Sequence, residues 1–436
     1  MGAKIQASGR GTPRKRRLRR ALLSVLVGGP VLLIGLFVAA NRIPWVGPLL
    51  ADTARALLGT EAVAKLEDAS YAAQDRWNRF WRKDEKPRAH WSVPEPAPSA
   101  SAAGAATAKA DDAPALPPFR PRDVGPALKS WSAPGDGLWV PLADARHPED
   151  SPRLYKTLLH PDRNRSWAEV FVVAVDLRRT DLEMMPGTRE PKGETPESTK
   201  LERPGRIPAS AEPRLLAAFN GGWKTEHGHY GMGVGGITLI PPRKTSCTVA
   251  RTRDGRVRIA SWDALADSKD DLAWWRQTPR CMYENGTMHA LLNQQETAAW
   301  GATVDGDTII RRSAIGIDAA GETLFVSITN HTTARALADA MHFAGASTVA
   351  QLDVNWSFPK FVVYEPNAEG VLEATPLAEG FEFDKGEYLR RASVRDFFFI
   401  TRKPDGEAAK PTPKSPEVVG SAGVPANEPA PTPSPG

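Results

Sequence analysis

The alternation of apolar and polar positions is clearest between Arg312 and Phe361. Arg312–Asp318 alternates small and apolar residues, Asp318-Ala319-Ala320-Gly321 has turn chemistry, and Thr323–Ile328 is rich in strand formers. Ala334, Leu337, Ala338 and Met341 then fall at i, i+3, i+4 and i+7. That spacing predicts a helix with one buried face, with Thr332 or Thr333 as N-cap and Gly345 at its C-terminal end. Ser347–Leu352 returns as a buried strand, and Asp353, Asn355 and Ser357 crowd its exit. An acid, an amide and a hydroxyl at the end of a strand suit a cleft that grips something polar.

Elsewhere the pattern is one of short strands. Ala168–Leu177 reads as a buried strand, Leu182–Met185 as a second, and Arg214–Phe219 as a third that runs into Asn220-Gly221-Gly222-Trp223. Val249–Ala260 is a hairpin around Asp254-Gly255, and Thr303–Arg311 carries another turn at Asp305-Gly306. Pro186–Pro208 is polar and reads as a surface loop, while Ser393–Thr401 closes the folded part as an aromatic strand. Many strands and few helices predict an α+β domain over 124–402, built on a large mixed or antiparallel sheet.

The N-terminal third is organised differently. Ala21–Ala40 is uncharged over about the 20 residues that cross a bilayer as a helix, and Gly28-Gly29-Pro30 would kink it. Residues 1–20 form a basic tail, which holds that end of an anchor in the cytoplasm. Val38-Ala39-Ala40 also offers a signal-peptidase site, but the apolar stretch exceeds the usual length for one, which favours an uncleaved anchor. Both readings export the main domain, so the expectation is a single-pass inner-membrane protein with its main domain periplasmic or extracellular. The membrane-proximal segment 41–91 has helical spacing and ends in Trp77, Phe80 and Trp81 among Arg76, Arg79, Arg82 and Lys83. It fits an interfacial helix or an amphipathic helix packed on the main domain. Residues 92–123 and 403–436 are rich in Pro, Ala and Ser, and too poor in apolar surface to fold by themselves.

Charge removes one class of function. The chain of 436 residues carries a net +5, but residues 1–20 alone hold +8, leaving −3 on the remainder. Basicity confined to one tail argues against nucleic-acid binding. The two cysteines, Cys247 and Cys281, both fall in the exported part, where a disulfide worth about 3 kcal/mol is expected, the alternative being two buried thiols.

Candidate chemistry is scattered. His227, His229 and His331 lack a Cys or Glu at zinc-site spacing, so no metal is assigned to them. Gly231-Met232-Gly233-Val234-Gly235-Gly236 leads into a strand and not a helix, which excludes the dinucleotide and Walker mechanisms. No Gly-x-Ser-x-Gly elbow occurs. Trp274-Trp275 offers either a sugar-stacking surface or a core-and-rim pair.

Five segments in order carry a resemblance: Ala218–Trp223, Cys281–Gly286, Arg312–Ile317, Gly345-Ala346 with Leu352-Asp353, and the closing strand from Arg391 to Ile400. In these the chain resembles the phosphodiester glycosidase family, which includes the N-acetylglucosamine-1-phosphodiester alpha-N-acetylglucosaminidases. Where that family has glycines between its aspartate and serine, this chain has Val354, Asn355 and Trp356 between Asp353 and Ser357. The resemblance implies hydrolysis of a sugar-1-phosphodiester at the anomeric carbon. Phosphate is a good leaving group, so one carboxylate and one cation suffice. Asp353 is the candidate carboxylate and Arg312 the candidate phosphate clamp, with a turn-capping acid and a strand-edge charge as the alternatives. Asn220, Gly221, Gly222, His229, His331, Asn355 and Ser357 are the candidate substrate-binding residues. The expected partners are a glycan or glycosyl-phosphate of an envelope or exopolysaccharide, and the membrane. No cofactor is assigned and a divalent cation is left open. The alternatives are a non-catalytic glycan-binding module on the same fold and a stalked scaffold.

Overall fold

The computed structural model describes residues 57, 59–93, 116–293, 300, 309–354 and 357–403. The apolar stretch Ala21–Ala40, the turn at Asp305-Gly306, Asn355 and the tail from 404 lie outside them. Among the described residues, no helix is long and apolar enough to cross a membrane.

The fold is mostly antiparallel sheet with few helices, divided among three sheets. The largest runs in the order β1 (Val140–Leu142), β2 (Leu154–Leu159), β3 (Glu169–Asp176), β14 (Thr323–Thr332), β13 (Ile310–Ile317), β15 (Thr348–Gln351), β11 (Tyr283–Glu284), β12 (Thr287–Met288). A second has β7 (Ile237–Ile240), β6 (Met232–Val234), β10 (Leu272–Thr278), β8 (Cys247–Thr252) and β9 (Val257–Ser261). The third has β17 (Leu372–Pro376), β16 (Phe361–Pro366), β5 (Leu215–Asn220), β18 (Phe397–Arg402) and β4 (Thr180–Met185). The α-helices among the described residues are α1 (Thr60–Trp81), the single turns α2 (Trp262–Leu265) and α3 (Ala290–Asn293), and α4 (Ala334–Phe343).

The continuous apolar run of β3 follows from burial on both faces. Phe171, Val173 and Val175 enter the core shared by the sheets, whereas Val170, Val172 and Ala174 enter a second core under α4. The heptad-like spacing in α4 has the outcome expected of it. Ala334, Leu337, Ala338 and Met341 are fully buried, the Thr333 side chain caps the Ala336 amide, and Gly345 leaves the helix with φ 122°. Full burial of Leu337 and Met341 contributes about 1.5–3 kcal/mol each relative to exposure. Trp274 and Trp275 both lie in β10 and both are buried, so neither offers a face to a sugar.

The folded unit reaches beyond 124–402. Asp75 of α1 pairs with Arg165, His90 with Glu169 and Arg179 with the Leu116 and Pro117 carbonyls, while Phe119 is buried in the second core. Helix α1 and the segment at 116–119 therefore both pack on the domain.

Cys247 and Cys281 form a disulfide with Cα atoms 4.7 Å apart, joining the start of β8 to the segment that enters the large sheet at Tyr283. It closes a loop of 34 residues, so the Cys247→Ala/Cys281→Ala variant is expected to lose about 3–4 kcal/mol of stability. Urea unfolding of the two forms without reductant measures this.

Candidate functional site

Strand ends from all three sheets meet at one place. β5 is held there by its aromatic end, where the Phe219 ring stacks on Phe361 at 5.9 Å and on Phe398 at 5.3 Å. Asn220 follows and is fully buried. Its amide donates to the Ser313 hydroxyl at 2.8 Å, and its carbonyl oxygen accepts from the Lys360 amide at 3.1 Å. The Ser313 hydroxyl in turn donates to the Asp353 carbonyl at 2.9 Å. The Asp353 amide donates to the Gly221 carbonyl at 3.3 Å, so the exits of β5 and β15 are bonded together.

The charges at this junction come largely from β10 and from the residues just before β18. The Asp353 carboxylate, 1% exposed, is ion-paired with Arg395 and accepts from the Val354 amide at 2.7 Å. Arg395 also donates to the Gly222 carbonyl at 3.2 Å, and its guanidinium lies 3.9 Å from the Phe358 ring centroid. Burial pulls its pKa down to about 10, so it is still cationic at neutral pH. Beside it, Asp396 accepts from the Gly222 amide and from Arg276 Nε, each at 2.9 Å. Arg276 is itself fully buried and spends its remaining donors on the carbonyls of Trp223, Tyr230 and Gln277.

This packing explains Gly221-Gly222. A Cβ at Gly221 would stand 2.4 Å from two oxygens of Asp396, and one at Gly222 would stand 2.9 Å from the Arg276 guanidinium. The glycines are there so that backbone can approach a buried ion pair.

Several buried polar atoms in this neighbourhood have no hydrogen-bond partner among the described residues: Arg395 Nε, Trp223 Nε1, Arg203 Nη2 and Asp396 Oδ1. Arg203 belongs to the same group, because its Nε donates to the Gly187 carbonyl at 2.6 Å, and a Cβ on Gly187 would meet the Arg395 backbone at 2.3 Å. Burial lowers its pKa, with Asp396 and Glu190 acting in the opposite sense. Each unmatched buried group costs about 1–3 kcal/mol. Three N–H donors facing no acceptor suit an anion, and one unused carboxylate oxygen suits a hydroxyl.

No protein-family model matches this chain, and neither does the sequence of any curated protein. Several solved structures match, among them two at low identity. One is the catalytic domain of zebrafish N-acetylglucosamine-1-phosphodiester alpha-N-acetylglucosaminidase, auto-inhibited by its pro-peptide (TM-score 0.38, 16% identity, 66% of this chain and 95% of that one). The other is a putative exported protein of Burkholderia pseudomallei (TM-score 0.28, 12% identity, 54% of this chain and 74% of that one). Likenesses of this size leave the site to be read from its own residues.

The residues expected from sequence divide accordingly. Asn220, Gly221, Gly222 and Asp353 come together. Arg312 does not join them: it shares with Ala314 the face of β13 that looks toward the second core, and donates to the Trp300 and Thr332 carbonyls and to Gln351. Full burial lowers its pKa to about 9. His229 sits on an exposed loop with φ 50° and meets Glu194 at 2.5 Å. His331 ends β14 beside α1, its pKa lowered by burial and then by Arg82 and Arg311. Ser357 is exposed close to Phe358, and Asn355 lies outside the described residues. Among the described residues, no three His, Cys, Asp or Glu side chains are grouped to hold a metal ion. A cavity of about 310 Å³ between Glu183, Arg214 and Phe399 contains none of the residues at the junction.

Sequence reading missed Arg276, Ser313, Arg395 and Asp396. The one available signal was the Arg395-Asp396 pair itself, two opposite charges set directly before the aromatic strand.

Proposed function

We propose that the protein is an exported, membrane-anchored hydrolase of sugar-1-phosphodiester linkages in envelope or exopolysaccharide glycans, with its site at the Asn220–Asp353–Arg395 junction. The observation that carries this reading is the unmatched buried donor on Arg395, which is ion-paired with the Asp353 carboxylate, together with those on Trp223 and Arg203 in the same neighbourhood. In this reading those donors take the phosphate oxygens and neutralise the charge that grows on the leaving group. Arg395 replaces Arg312 as the clamp, because Arg395 is ion-paired with Asp353 whereas Arg312 donates to the Trp300 and Thr332 carbonyls and to Gln351. Asp353 stabilises the electron-poor anomeric carbon or attacks it, and the unused oxygen of Asp396 receives a sugar hydroxyl.

The test is purified full-length protein in detergent, incubated with UDP-N-acetylglucosamine and with N-acetylglucosamine-1-phospho-sugars, with release of free sugar as the readout. Turnover of either supports the proposal. Arg395→Lys keeps the charge but loses the fork, and is expected to raise KM for the phosphodiester about 10-fold.

A second reading is a non-catalytic glycan-binding module on the same fold. It is favoured by the ion pair that already engages the Asp353 carboxylate. Glycan binding without turnover of any phosphodiester would establish it.

A further inference from the structure

Helix α1 has two unlike sides. One is fastened to the domain through Asp75, which is buried and accepts from Arg165 Nε and Nη2 at 2.7 Å, while Arg165 also pairs with Asp162 at 2.9 Å. Just beyond the helix, Arg82 lies 4.9 Å from the Trp167 ring centroid, and the Ser166 hydroxyl donates to the Glu85 carbonyl. These contacts fix the helix with respect to the sheets.

The other side has no such partner among the described residues. At about 100° per residue, Trp77, Phe80 and Trp81 project roughly opposite Asp75. They are 65%, 68% and 64% exposed, and they touch one another, with ring centroids 5.6 Å apart for Trp77–Trp81 and 5.3 Å apart for Phe80–Trp81. Arg76 and Lys83 flank this patch, exposed, and Arg79 is half engaged by Asp75 at 3.0 Å.

We propose that the Trp77–Phe80–Trp81 face lies in the headgroup layer of an anionic bilayer and so holds the domain at a set orientation to the membrane. Three observations name this occupant. Indole rings with a polar N–H and an apolar body prefer the membrane–water boundary. Flanking cations complement anionic headgroups. The uncharged stretch Ala21–Ala40 ends about 20 residues before Thr60, which is a reach of at most about 70 Å, so the chain itself brings α1 to a membrane. A second copy on the same face would set Arg76 and Lys83 of both chains near one another, which disfavours it.

The test uses the full chain in vesicles of phosphatidylethanolamine and phosphatidylglycerol. Spin labels are placed singly through Trp77→Cys, Phe80→Cys and Trp81→Cys, with Glu369→Cys in an exposed turn as the water control. The native cysteines are paired and do not take label. The ratio of oxygen to nickel-chelate collisions is expected to be about 10-fold higher at 77, 80 and 81 than at 369. It is expected to fall when phosphatidylcholine replaces phosphatidylglycerol, and again in Arg76→Gln/Lys83→Gln. Ratios equal to that at 369 overturn the proposal. Spin–spin broadening at 77 and 81 also overturns it, by showing a second copy on this face, and unchanged ratios in phosphatidylcholine remove the requirement for anionic lipid.

Discussion

Asp353→Asn is expected to lower turnover of a sugar-1-phosphodiester by about 10²–10⁴-fold while changing KM little. The amide can neither attack the anomeric carbon nor offset its developing charge, whereas the donors proposed to hold the phosphate are on Arg395, Trp223 and Arg203 and remain in place. The substitution also takes the anion away from Arg395, so some stability is lost with the activity. Circular dichroism and retained affinity for a glycosyl phosphate separate a chemical loss from an unfolded protein. A folded variant that hydrolyses at the wild-type rate would remove Asp353 from the chemistry.

Arg276→Leu should have the largest effect on the fold. Arg276 and Asp396 have side chains 0% and 1% exposed and are paired at 2.9 Å, and Arg276 also holds the carbonyls of Trp223 and Tyr230. Removing Arg276 leaves the buried Asp396 carboxylate without its hydrogen-bonded cation, at a cost of about 3–5 kcal/mol. In a domain of this size that lowers Tm by on the order of 10 °C. Adding Asp396→Leu should recover part of the loss, since the stranded charge is then gone, although the Gly222 amide still lacks its acceptor. Thermal melts of the two single variants and the double variant test this, and additive losses would contradict it.

Sequence alone showed the strongly periodic elements and the backbone of the site. α4, β3 and the β8–β9 hairpin each have enough residues for a period or a turn signal to stand out. The very short strands β6, β11 and β12 do not, which is why one large sheet was expected where three occur. Asp353 and Asn220 were visible as polar residues at strand exits. Arg312 was misplaced by the parity of a single residue. Side chains alternate along β13, so Ser313 looks toward Asn220 while Arg312 looks the other way, and a register shift between Ile310 and Arg312 obscures the count further. Arg395 and Asp396 stood out only as adjacent opposite charges, and their place at the site did not show. Nothing local states that the last strand pairs with both β5 and β4.

That insertion bears on how the protein is made. β18 is synthesised after every other strand, yet its neighbours β4 and β5 emerge far earlier, and their facing edges must stay open until it arrives. Until the C-terminal residues are made, the chain therefore lacks the middle strand of its third sheet, together with Arg395 and Asp396. Such a species exposes unpaired edges that invite aggregation or chaperone capture. It also cannot close on Asp353, so whatever chemistry the site performs starts only once the final strand has docked.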